Sequence, residues 1–328
     1  MSASLLFHPS HDAVYGFEHA RRLASVTSPY QHIEVWDTPQ LGRLFTLDGR
    51  PMTAVGDEFI YHECMVHPAA LVHPSPKAAL VLGGGDGGAA RQLLRHPSIE
   101  RIVVAELDAE VVRLTREYLP EVHGGAFADP RVELVIGDAA HFVAGAARAA
   151  TEAARATVTA MSAAKPAAGA ATTTAPAEVK TEASASAQFD LVIFDLTPPD
   201  SPAAGLYTPD FYMQLKRVMR PTAALSLHLG SPYFHPRRVA GLLDDLRDTF
   251  AFVRTMHTFV PLYGSLWMMA TASDTLDPAA LGVEALAERI AARQIDALKH
   301  YDPALHAGLF SASRSVRDKL SQFLKPSS

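Results

Sequence analysis

The sequence predicts an α/β fold in which a doubly wound, mostly parallel sheet follows a small N-terminal β domain built from hairpins. Before residue 73, apolar and polar residues alternate as in half-exposed strands. After Lys77, short uninterrupted apolar runs are separated by helical stretches, which is typical of parallel strands covered on both faces. We therefore expect an N-terminal β domain at residues 1–73 and a larger α/β domain at residues 74–328.

In the N-terminal region, the prediction of strands rests on two runs. Ile33 and Val35 alternate with polar neighbours, and a second apolar run at residues 44–47 ends in Asp48-Gly49. An Asp-Gly pair is a strong signal for the two-residue turn of a β-hairpin. This part of the chain is therefore expected to form a small antiparallel sheet.

Four apolar runs are expected to form the central parallel strands, at residues 79–82, 102–104, 134–136 and 191–194. Later strands are expected at residues 223–229, 252–259 and 266–270. The sequence Thr208-Pro209-Asp210 predicts the start of a helix, with Thr208 as N-cap and Pro209 at the first helical position. The apolar residues of its buried stripe are Phe211, Leu215 and Val218. A C-terminal helix is expected at residues 283–295.

Residues 144–187 interrupt this pattern. The stretch holds 20 Ala and 7 Thr but no aromatic residue, so it cannot bury enough surface to offset the entropy of ordering it. We interpret it as a low-complexity insertion, most simply a surface loop without function, with an active-site lid as the alternative. Its first part, residues 144–156, is expected to extend a helix because Ala has the highest helix propensity.

Composition restricts the functional classes. The chain has 328 residues, of which 48% are hydrophobic and 20% charged, with a net charge of -6; this balance argues against a nucleic-acid binder, which needs a basic face. The single cysteine, Cys64, cannot form an internal disulfide. The sequence also lacks a signal peptide and the run of about 20 apolar residues that a membrane helix requires. We therefore expect a soluble, cytoplasmic protein.

A glycine-rich loop at residues 83–88 is the sharpest local signal for a ligand site. It follows an apolar strand and precedes a predicted helix containing Leu93 and Leu94. Glycines let the backbone turn tightly and approach a ligand closely, and nucleotide sites use this strand-turn-helix context. A lone glycine-rich loop is weak evidence, so the residues that follow the neighbouring strands matter.

Acidic residues follow four successive predicted strands, namely Asp86, Glu106, Asp138 and Asp195. Each one alone could be a helix cap. However, open α/β sheets bind ligands at the carboxyl ends of their strands, where all four would meet. There Glu106 could accept hydrogen bonds from two ribose hydroxyls, and Asp138 could hold an adenine amino group. The series favours a binding site over four separate caps.

With these motifs in place, the chain resembles the polyamine aminopropyltransferases, the spermidine synthase family, over nearly its whole length apart from the insertion and the extreme termini. The segments that carry the resemblance are residues 28–31, 47–49, 57–63, 83–88, 106–108, 137–139, 189–195, 206–208, 298–303 and 316–317. So many matches in the same order are more specific than any single motif. The catalytic domain is therefore expected to be Rossmann-like, of the methyltransferase type.

The resemblance implies transfer of an aminopropyl group from decarboxylated S-adenosylmethionine to an amine, typically putrescine, giving spermidine and methylthioadenosine. It assigns the thioadenosine part of the donor to Gln31, Glu106, Asp138, Ala139 and Pro202. Asp86 and His62 would bind the amine end. Tyr61 and Tyr263 would line the polyamine channel, and Asp195 would orient and deprotonate the attacking amine. The resemblance further implies a homodimer or homotetramer, with no metal and no permanently bound cofactor.

Elementary chemistry supports two of these roles. A primary amine of pKa near 10.4 is only about 0.04% neutral at pH 7, so its lone pair must be freed before it attacks carbon. A carboxylate at Asp195 can direct the amine and accept its proton as the sulfonium charge disappears. At Asp86, the carboxylate of intact S-adenosylmethionine would meet roughly 4 kcal/mol of repulsion at about 4 Å, whereas the decarboxylated donor would not.

The sequence departs from the family pattern at the acceptor side. Pro198 stands where a second aspartate would hold the acceptor amine, and Asp200 is the nearest residue that could compensate. His228 stands where a glutamine is common. Putrescine is still the leading acceptor by resemblance. Because of these two departures, another diamine or a longer polyamine is the alternative.

Other functions remain open on sequence alone. A methyltransferase shares the fold class and the glycine-rich loop, and a polyamine- or nucleoside-binding protein without turnover would retain the donor residues. A zinc site at His62 and His67 is disfavoured, because residues five apart lie about 140° apart on a helix. His67 is expected to be structural, Trp36 and Trp267 to serve packing, and Cys64 to be a small buried residue of a helix. Tyr263 could be a half-buried aromatic residue without a role.

Overall fold

The computed structural model describes residues 3–163 and 188–325. An antiparallel five-stranded sheet takes the first part of the chain, with strands in sequence order. Its strands are β1 Ala3–Ser10, β2 Ala13–Thr27, β3 His32–Thr38, β4 Gly42–Leu47 and β5 Arg50–Ala54. The hairpin predicted at Asp48-Gly49 is confirmed: it joins β4 to β5, and both residues have positive φ, 48° and 74°, as a tight hairpin turn requires.

A seven-stranded sheet forms the larger part of the molecule, in the order β11-β12-β10-β9-β6-β7-β8. Its strands are β6 Ala78–Gly83, β7 Arg101–Glu106, β8 Val132–Ile136, β9 Phe189–Asp195, β10 Met219–Gly230, β11 Phe252–Val260 and β12 Ser265–Ser273. The first five of these in chain order pair in parallel, while β12 and β11 are antiparallel. The predicted doubly wound sheet and all seven of its predicted strands are confirmed.

Helices cover both faces of this sheet. They are α1 Glu58–Val72, α2 Gly88–Leu93, α3 Ala109–Tyr118, α4 Pro120–His123, α5 Ala139–Ala163, α6 Pro209–Lys216, α7 Pro236–Thr249, α8 Val283–Ala292, α9 Pro303–Leu309 and α10 Arg314–Ser321. The predicted start of α6 is confirmed, since the Thr208 hydroxyl accepts a hydrogen bond from Phe211 N. The predicted C-terminal helix ends at Ala292, three residues early, and α9 and α10 were not expected.

The helix α1 lies within residues 1–73, the range expected to form the β domain. Twelve of its fifteen residues are buried, including Cys64, which is fully inaccessible as predicted. It packs against α2 and against β10, β11 and β12 of the large sheet. Residues 58–72 therefore join the N-terminal sheet to the larger part of the molecule, and the boundary at residue 73 stays a prediction.

The alanine-rich stretch begins inside α5. The predicted helical extension over residues 144–156 is confirmed, because α5 runs from Ala139 to Ala163. The remainder of the predicted loop, residues 164–187, lies outside the described residues. Among residues 3–163 and 188–325, no helix has the length and apolar character needed to cross a membrane.

Candidate active site

A cavity of about 470 Å³ opens at the carboxyl ends of the parallel strands. The chain proceeds from β6 to β7 and β8 on one side, and returns to β9 and β10 on the other. Open α/β sheets bind ligands at such a reversal of strand order, because the loops diverge there and leave a crevice. The cavity is lined both by these loops and by β4, β5 and the turn between them.

The glycine-rich loop brings the ends of β6 and β9 together. Gly83 has a φ of 75°, and a Cβ atom there would lie 2.3 Å from the carbonyl oxygen of Asp195. Gly84 N donates a hydrogen bond to that same oxygen at 3.0 Å. A Cβ atom on Gly88 would lie 2.1 Å from the ring of His62. Glycine at these positions is required for the close approach of the acidic residues and the histidine.

Glu106 forms one wall of the cavity and is buried. Its Oε2 accepts a hydrogen bond from Gly85 N at 3.0 Å, and its Oε1 accepts one from Asp108 N at 2.9 Å. Burial raises the pKa of Glu106 to about 7, although the two backbone N–H groups act in the opposite direction. The carboxylate is thus fixed in direction at the end of β7, where an acid can accept hydrogen bonds from ribose hydroxyls.

Gln31 reaches the same wall from the N-terminal sheet. Its Nε2 donates to Asp108 Oδ2 at 3.0 Å, and the Ser28 hydroxyl donates to the same oxygen at 2.6 Å. Asp108 also caps α3, because its Oδ1 accepts from Glu110 N. The turn between β2 and β3 is therefore tied to the loop after β7, and Gln31 lines the cavity.

Asp138, Ala139 and Pro202 also line the cavity. The Asp138 side chain is exposed, and its Oδ1 accepts a hydrogen bond from Ala140 N at 2.7 Å. It therefore caps α5 and faces the cavity at the same time. All three residues line the same cavity as Glu106 and Gln31, and their contact with the adenine stays a prediction.

A buried imidazole lies between two carboxylates at the base of the cavity. His62 Nε2 is 3.7 Å from Asp86 Oδ1 and 3.4 Å from Asp195 Oδ2, while its Nδ1 is 2.7 Å from Glu58 Oε2. Burial alone would lower the pKa of His62, but the charges of Asp86 and Asp195 raise it to about 10. Arg91 in turn contacts Glu58 at 2.6 Å.

This arrangement shifts the pKa values of the two aspartates in opposite directions. Burial alone would raise the pKa of Asp195, but the imidazolium of His62 and the ring of His228 lower it below its ordinary value. Burial raises the pKa of Asp86. Asp86 also accepts hydrogen bonds from the Thr53 hydroxyl at 2.5 Å and from Gly88 N at 2.8 Å.

His62 itself is fully buried behind the carboxylates and is not among the residues that line the cavity. A direct contact between His62 and an amine therefore stays a prediction. What the structure shows is contact between His62 and the two aspartates that face the cavity.

Two tyrosines lie next to these carboxylates. The hydroxyl of Tyr61 is 2.8 Å from Thr53 Oγ1, and the hydroxyl of Tyr263 donates to Met52 O at 2.8 Å. Their rings lie 5.6 Å apart and both line the cavity. Burial raises the pKa of both phenols well above the ordinary value, so they remain neutral.

Sequence reasoning missed three residues of this site. Thr53 bridges Tyr61 and Asp86, and Trp267, expected only to pack, donates its Nε1–H to His228 Nδ1 at 2.9 Å. Glu58 fixes the His62 ring through a contact of 2.7 Å between its Oε2 and His62 Nδ1. Thr53 carries no local signal, whereas Glu58 lies four residues before His62, the spacing at which helical side chains meet.

The acceptor side differs from the family pattern in the way the sequence indicated. Pro198 lines the cavity and supplies no charge. Asp200 lies 2.8 Å from an Arg50 nitrogen and 3.5 Å from one of Arg238, and its side chain is 56% exposed. Asp200 is thus paired with two guanidinium groups and is not a free carboxylate for a cationic substrate.

His62 and His67, the pair considered for zinc, do not share a site. His67 does not approach the cavity; its ring nitrogens lie 3.0 Å from His96 Nε2 and 3.2 Å from Gln92 Oε1. Candidate ligand atoms of His62, Asp86 and Asp195 lie within 4.8 Å of one another.

Comparison with known proteins agrees with the sequence resemblance. The sequence profile of the spermine/spermidine synthase domain matches residues 58–171 and 177–280. The polyamine aminopropyltransferase of Nitrosomonas europaea is 41% identical over 300 residues, which are 92% of this chain and 80% of that protein. That of Thermoanaerobacter sp. strain X514 is 34% identical over 89% of this chain and 88% of its own.

Solved structures show the same fold. A spermidine synthase in complex with the transition-state analogue AdoDATO superposes with a TM-score of 0.79 at 26% identity, covering 98% of this chain and 95% of that one. The spermidine synthase of Thermotoga maritima gives a TM-score of 0.77 at 26% identity, covering 98% and 94%.

Proposed function

Because the chain belongs to the spermine/spermidine synthase family, we propose that its cavity binds decarboxylated S-adenosylmethionine beside an amine and that Asp195 directs the transfer of the aminopropyl group. The protein is a polyamine aminopropyltransferase. The observation that carries the proposal is the pair of carboxylates, Asp86 and Asp195, that face one cavity next to the fixed carboxylate of Glu106.

The donor lies along the wall formed after β7 and β8. Glu106 accepts hydrogen bonds from the two ribose hydroxyls, since its oxygens are already oriented by backbone N–H groups. Gln31, held by Asp108, contacts the thioadenosine part. Asp138, Ala139 and Pro202 enclose the adenine.

Asp86 receives the ammonium of the aminopropyl tail. The sequence alone suggested about 4 kcal/mol of repulsion toward the carboxylate of intact S-adenosylmethionine, but the imidazolium of His62 lies 3.7 Å away and offsets part of it. When all groups are ionised, the cluster has a net charge of -1. Its three carboxylates are those of Asp86, Asp195 and Glu58, and its two cations are His62 and Arg91. The cluster therefore still favours a cation, with weaker discrimination than the isolated Asp86 would give.

Asp195 holds the attacking amine. Its lowered pKa keeps it ionised at neutral pH, so it accepts a hydrogen bond from the amine and directs the nitrogen lone pair toward the carbon next to sulfur. The nitrogen–carbon bond forms as the carbon–sulfur bond breaks, and the electron pair leaves on sulfur as neutral methylthioadenosine. The acceptor nitrogen enters as an ammonium, so before the attack it gives one proton to Asp195, which frees its lone pair, and burial of the amine lowers its pKa and favours this step. The product nitrogen keeps two protons and leaves as a secondary ammonium.

The acceptor is putrescine, and the product is spermidine. Tyr61 and Tyr263 line the channel as neutral phenols, which pack against the methylene chain and offer hydroxyl oxygens. Asp195 attracts the reacting end of the diamine, while Asp86 holds the ammonium of the donor. The far end of the diamine meets Pro198 instead of a carboxylate, so we expect weak selection among amines of different length.

The experiment incubates the purified protein with decarboxylated S-adenosylmethionine and a panel of amines, and measures methylthioadenosine. We expect release that depends on both substrates, and none from intact S-adenosylmethionine. A methylated amine formed from intact S-adenosylmethionine would establish a methyltransferase. Binding of methylthioadenosine without any turnover would establish a non-catalytic homologue.

We also propose that the enzyme acts in the cytoplasm as a homodimer or homotetramer. Leu6 on β1 and Val14 on β2 are 52% and 57% exposed, which gives the N-terminal sheet an apolar surface that a second copy could cover. Light scattering of the purified protein would measure the mass in solution; a monomer at all concentrations would contradict the proposal.

A further inference from the structure

The side chain of His228 is held by a neighbouring strand. It lies near the end of β10, is 9% exposed, and faces the cavity. Trp267 on β12 donates its indole N–H to His228 Nδ1 at 2.9 Å. The Trp267 ring also packs against Tyr263, with ring centroids 4.3 Å apart.

This hydrogen bond determines which ring nitrogen carries the proton. The indole N–H can only donate, so His228 Nδ1 must be the acceptor and cannot carry a hydrogen. In the neutral ring the proton therefore resides on Nε2. Since Nδ1 is occupied by Trp267 and Nε2 already holds a hydrogen, the neutral ring is a hydrogen-bond donor toward the cavity and has no free lone pair with which to act as a base.

The Nε2 atom of His228 faces the carboxylate that directs the amine. It lies 3.8 Å from Asp195 Oδ1, on the opposite side from His62 Nε2, which is 3.4 Å from Asp195 Oδ2. Tyr61 on α1 also packs against His228, with ring centroids 5.5 Å apart. Other titratable groups that interact with this carboxylate are Asp86 after β6, Glu106 at the end of β7, Tyr207 before α6 and Tyr263 after β11.

We propose that Trp267 fixes His228 with its Nε2–H directed at the Asp195 carboxylate, which this N–H orients electrostatically across 3.8 Å, with His228 as a positioning residue and not as a base. The inference rests on the proposed role of Asp195. An N–H group on one side of the carboxylate leaves its remaining lone pairs directed toward the amine. It also stabilises the ionised form, in agreement with the lowered pKa of Asp195.

The kinetic test uses two substitutions at His228. His228→Leu removes the donor, and we expect kcat to fall about 10- to 100-fold while the affinity for methylthioadenosine stays within threefold. His228→Gln keeps an N–H donor on a side chain of similar reach and should retain most of kcat. Equal losses in both variants, or no loss in His228→Leu, would overturn the proposal.

A second measurement does not depend on these variants folding well. In protein labelled with ¹⁵N-histidine, the resonance assigned to His228 should show an unprotonated Nδ1 and a protonated Nε2. Trp267→Phe should abolish this preference, whereas the matched Trp36→Phe on β3 should leave it unchanged. A protonated Nδ1 in the wild-type protein would overturn the proposal.

The parallel variant Asp195→Asn separates the two claims. If Asp195→Asn retains full activity, the proposed function of Asp195 fails. If Asp195→Asn is inactive while His228→Leu is fully active, only the inference about His228 and Trp267 fails.

Discussion

Glu106 is a buried carboxylate placed to accept hydrogen bonds from ribose, and its burial works against its ionisation. Its pKa rises from 4.5 to about 7 in the folded protein. The native state therefore holds a proton that the unfolded chain releases between pH 4.5 and 7. Stability is lost as the pH rises through this window, by roughly 3 kcal/mol in total.

We expect Glu106→Gln to remove this pH-dependent loss. Urea unfolding should show the variant gaining stability relative to wild type between pH 5 and pH 8, because glutamine does not ionise. Its affinity for methylthioadenosine should fall at least about 10-fold, since the charged acceptor is lost. The same stability difference at both pH values would contradict the account of Glu106.

Pro198 is the position at which one substitution is expected to increase activity toward putrescine. We expect Pro198→Asp to raise kcat/KM for putrescine about 10-fold, because a carboxylate on the cavity wall can pair with the far ammonium of the diamine. Propylamine, which lacks that ammonium, serves as the control. An equal rise for propylamine would show that the change acts through the loop and not through charge.

Some site residues could be predicted from sequence because they follow strands directly. Asp86, Glu106 and Asp195 are of this kind, and the structure brings all three to one cavity. Thr53 and Trp267 could not be predicted, because their partners lie 33 and 39 positions away in the chain. These contacts form only when the two sheets and the neighbouring strands pack together. A local sequence pattern does not encode that packing.

At the scale of elements, α1 connects the C-terminal segment to the rest of the molecule. The buried carboxylate of Glu63 accepts hydrogen bonds from the backbone N–H groups of Lys299, His300 and Tyr301, at 2.9 to 3.2 Å. These residues belong to the segment 298–303 that resembles the family pattern. The backbone of this segment donates hydrogen bonds to the buried Glu63 carboxylate, which gives a physical reason for the match.

We expect Glu63→Ala to lower the free energy of unfolding by about 2 to 4 kcal/mol, because three N–H donors, of which that of Tyr301 is buried, lose their acceptor. Glu284→Ala, on the exposed first turn of α8, should change it by less than about 0.5 kcal/mol. Urea titration followed by circular dichroism measures both. A loss at Glu63 no larger than at Glu284 would contradict the role of this contact.

Some helices of the molecule show no readable period along the sequence. α1 is buried on nearly every side, so it shows no apolar stripe against a polar one. α9 and α10 have seven and eight residues, about two turns each, and are too short for a periodic pattern. The central strands were found because continuous burial on both faces makes them uniformly apolar.

At the scale of the whole molecule, the cavity draws on both sheets. Gln31 and Thr53 come from the N-terminal sheet, while Asp86 and Asp195 come from the large sheet, with Tyr61 from α1 between them. The parallel direction of the central strands was predictable from their alternation with helices. The meeting of the two sheets was not, because it depends on contacts distant in the chain.

The insertion allows a test of how much of the chain catalysis requires. We expect replacement of residues 165–186 by a short Gly-Ser linker to leave kcat/KM within about twofold, because this composition cannot bury a core. A linker of equal length and scrambled sequence is the control. A loss of more than 10-fold in the shortened variant, rescued by the scrambled linker, would show that the length of the insertion contributes to activity.

Asp195 is the group proposed to direct the amine, and the reaction depends on it more than on any other residue of the cavity. The most direct measurement is methylthioadenosine release by wild type and Asp195→Asn at saturating donor and putrescine, with Asp210→Asn on α6 as the control. We expect kcat of Asp195→Asn to fall about 10²- to 10⁴-fold while methylthioadenosine still binds. Full activity in Asp195→Asn, or release of methylthioadenosine by wild type without an amine, would contradict this role.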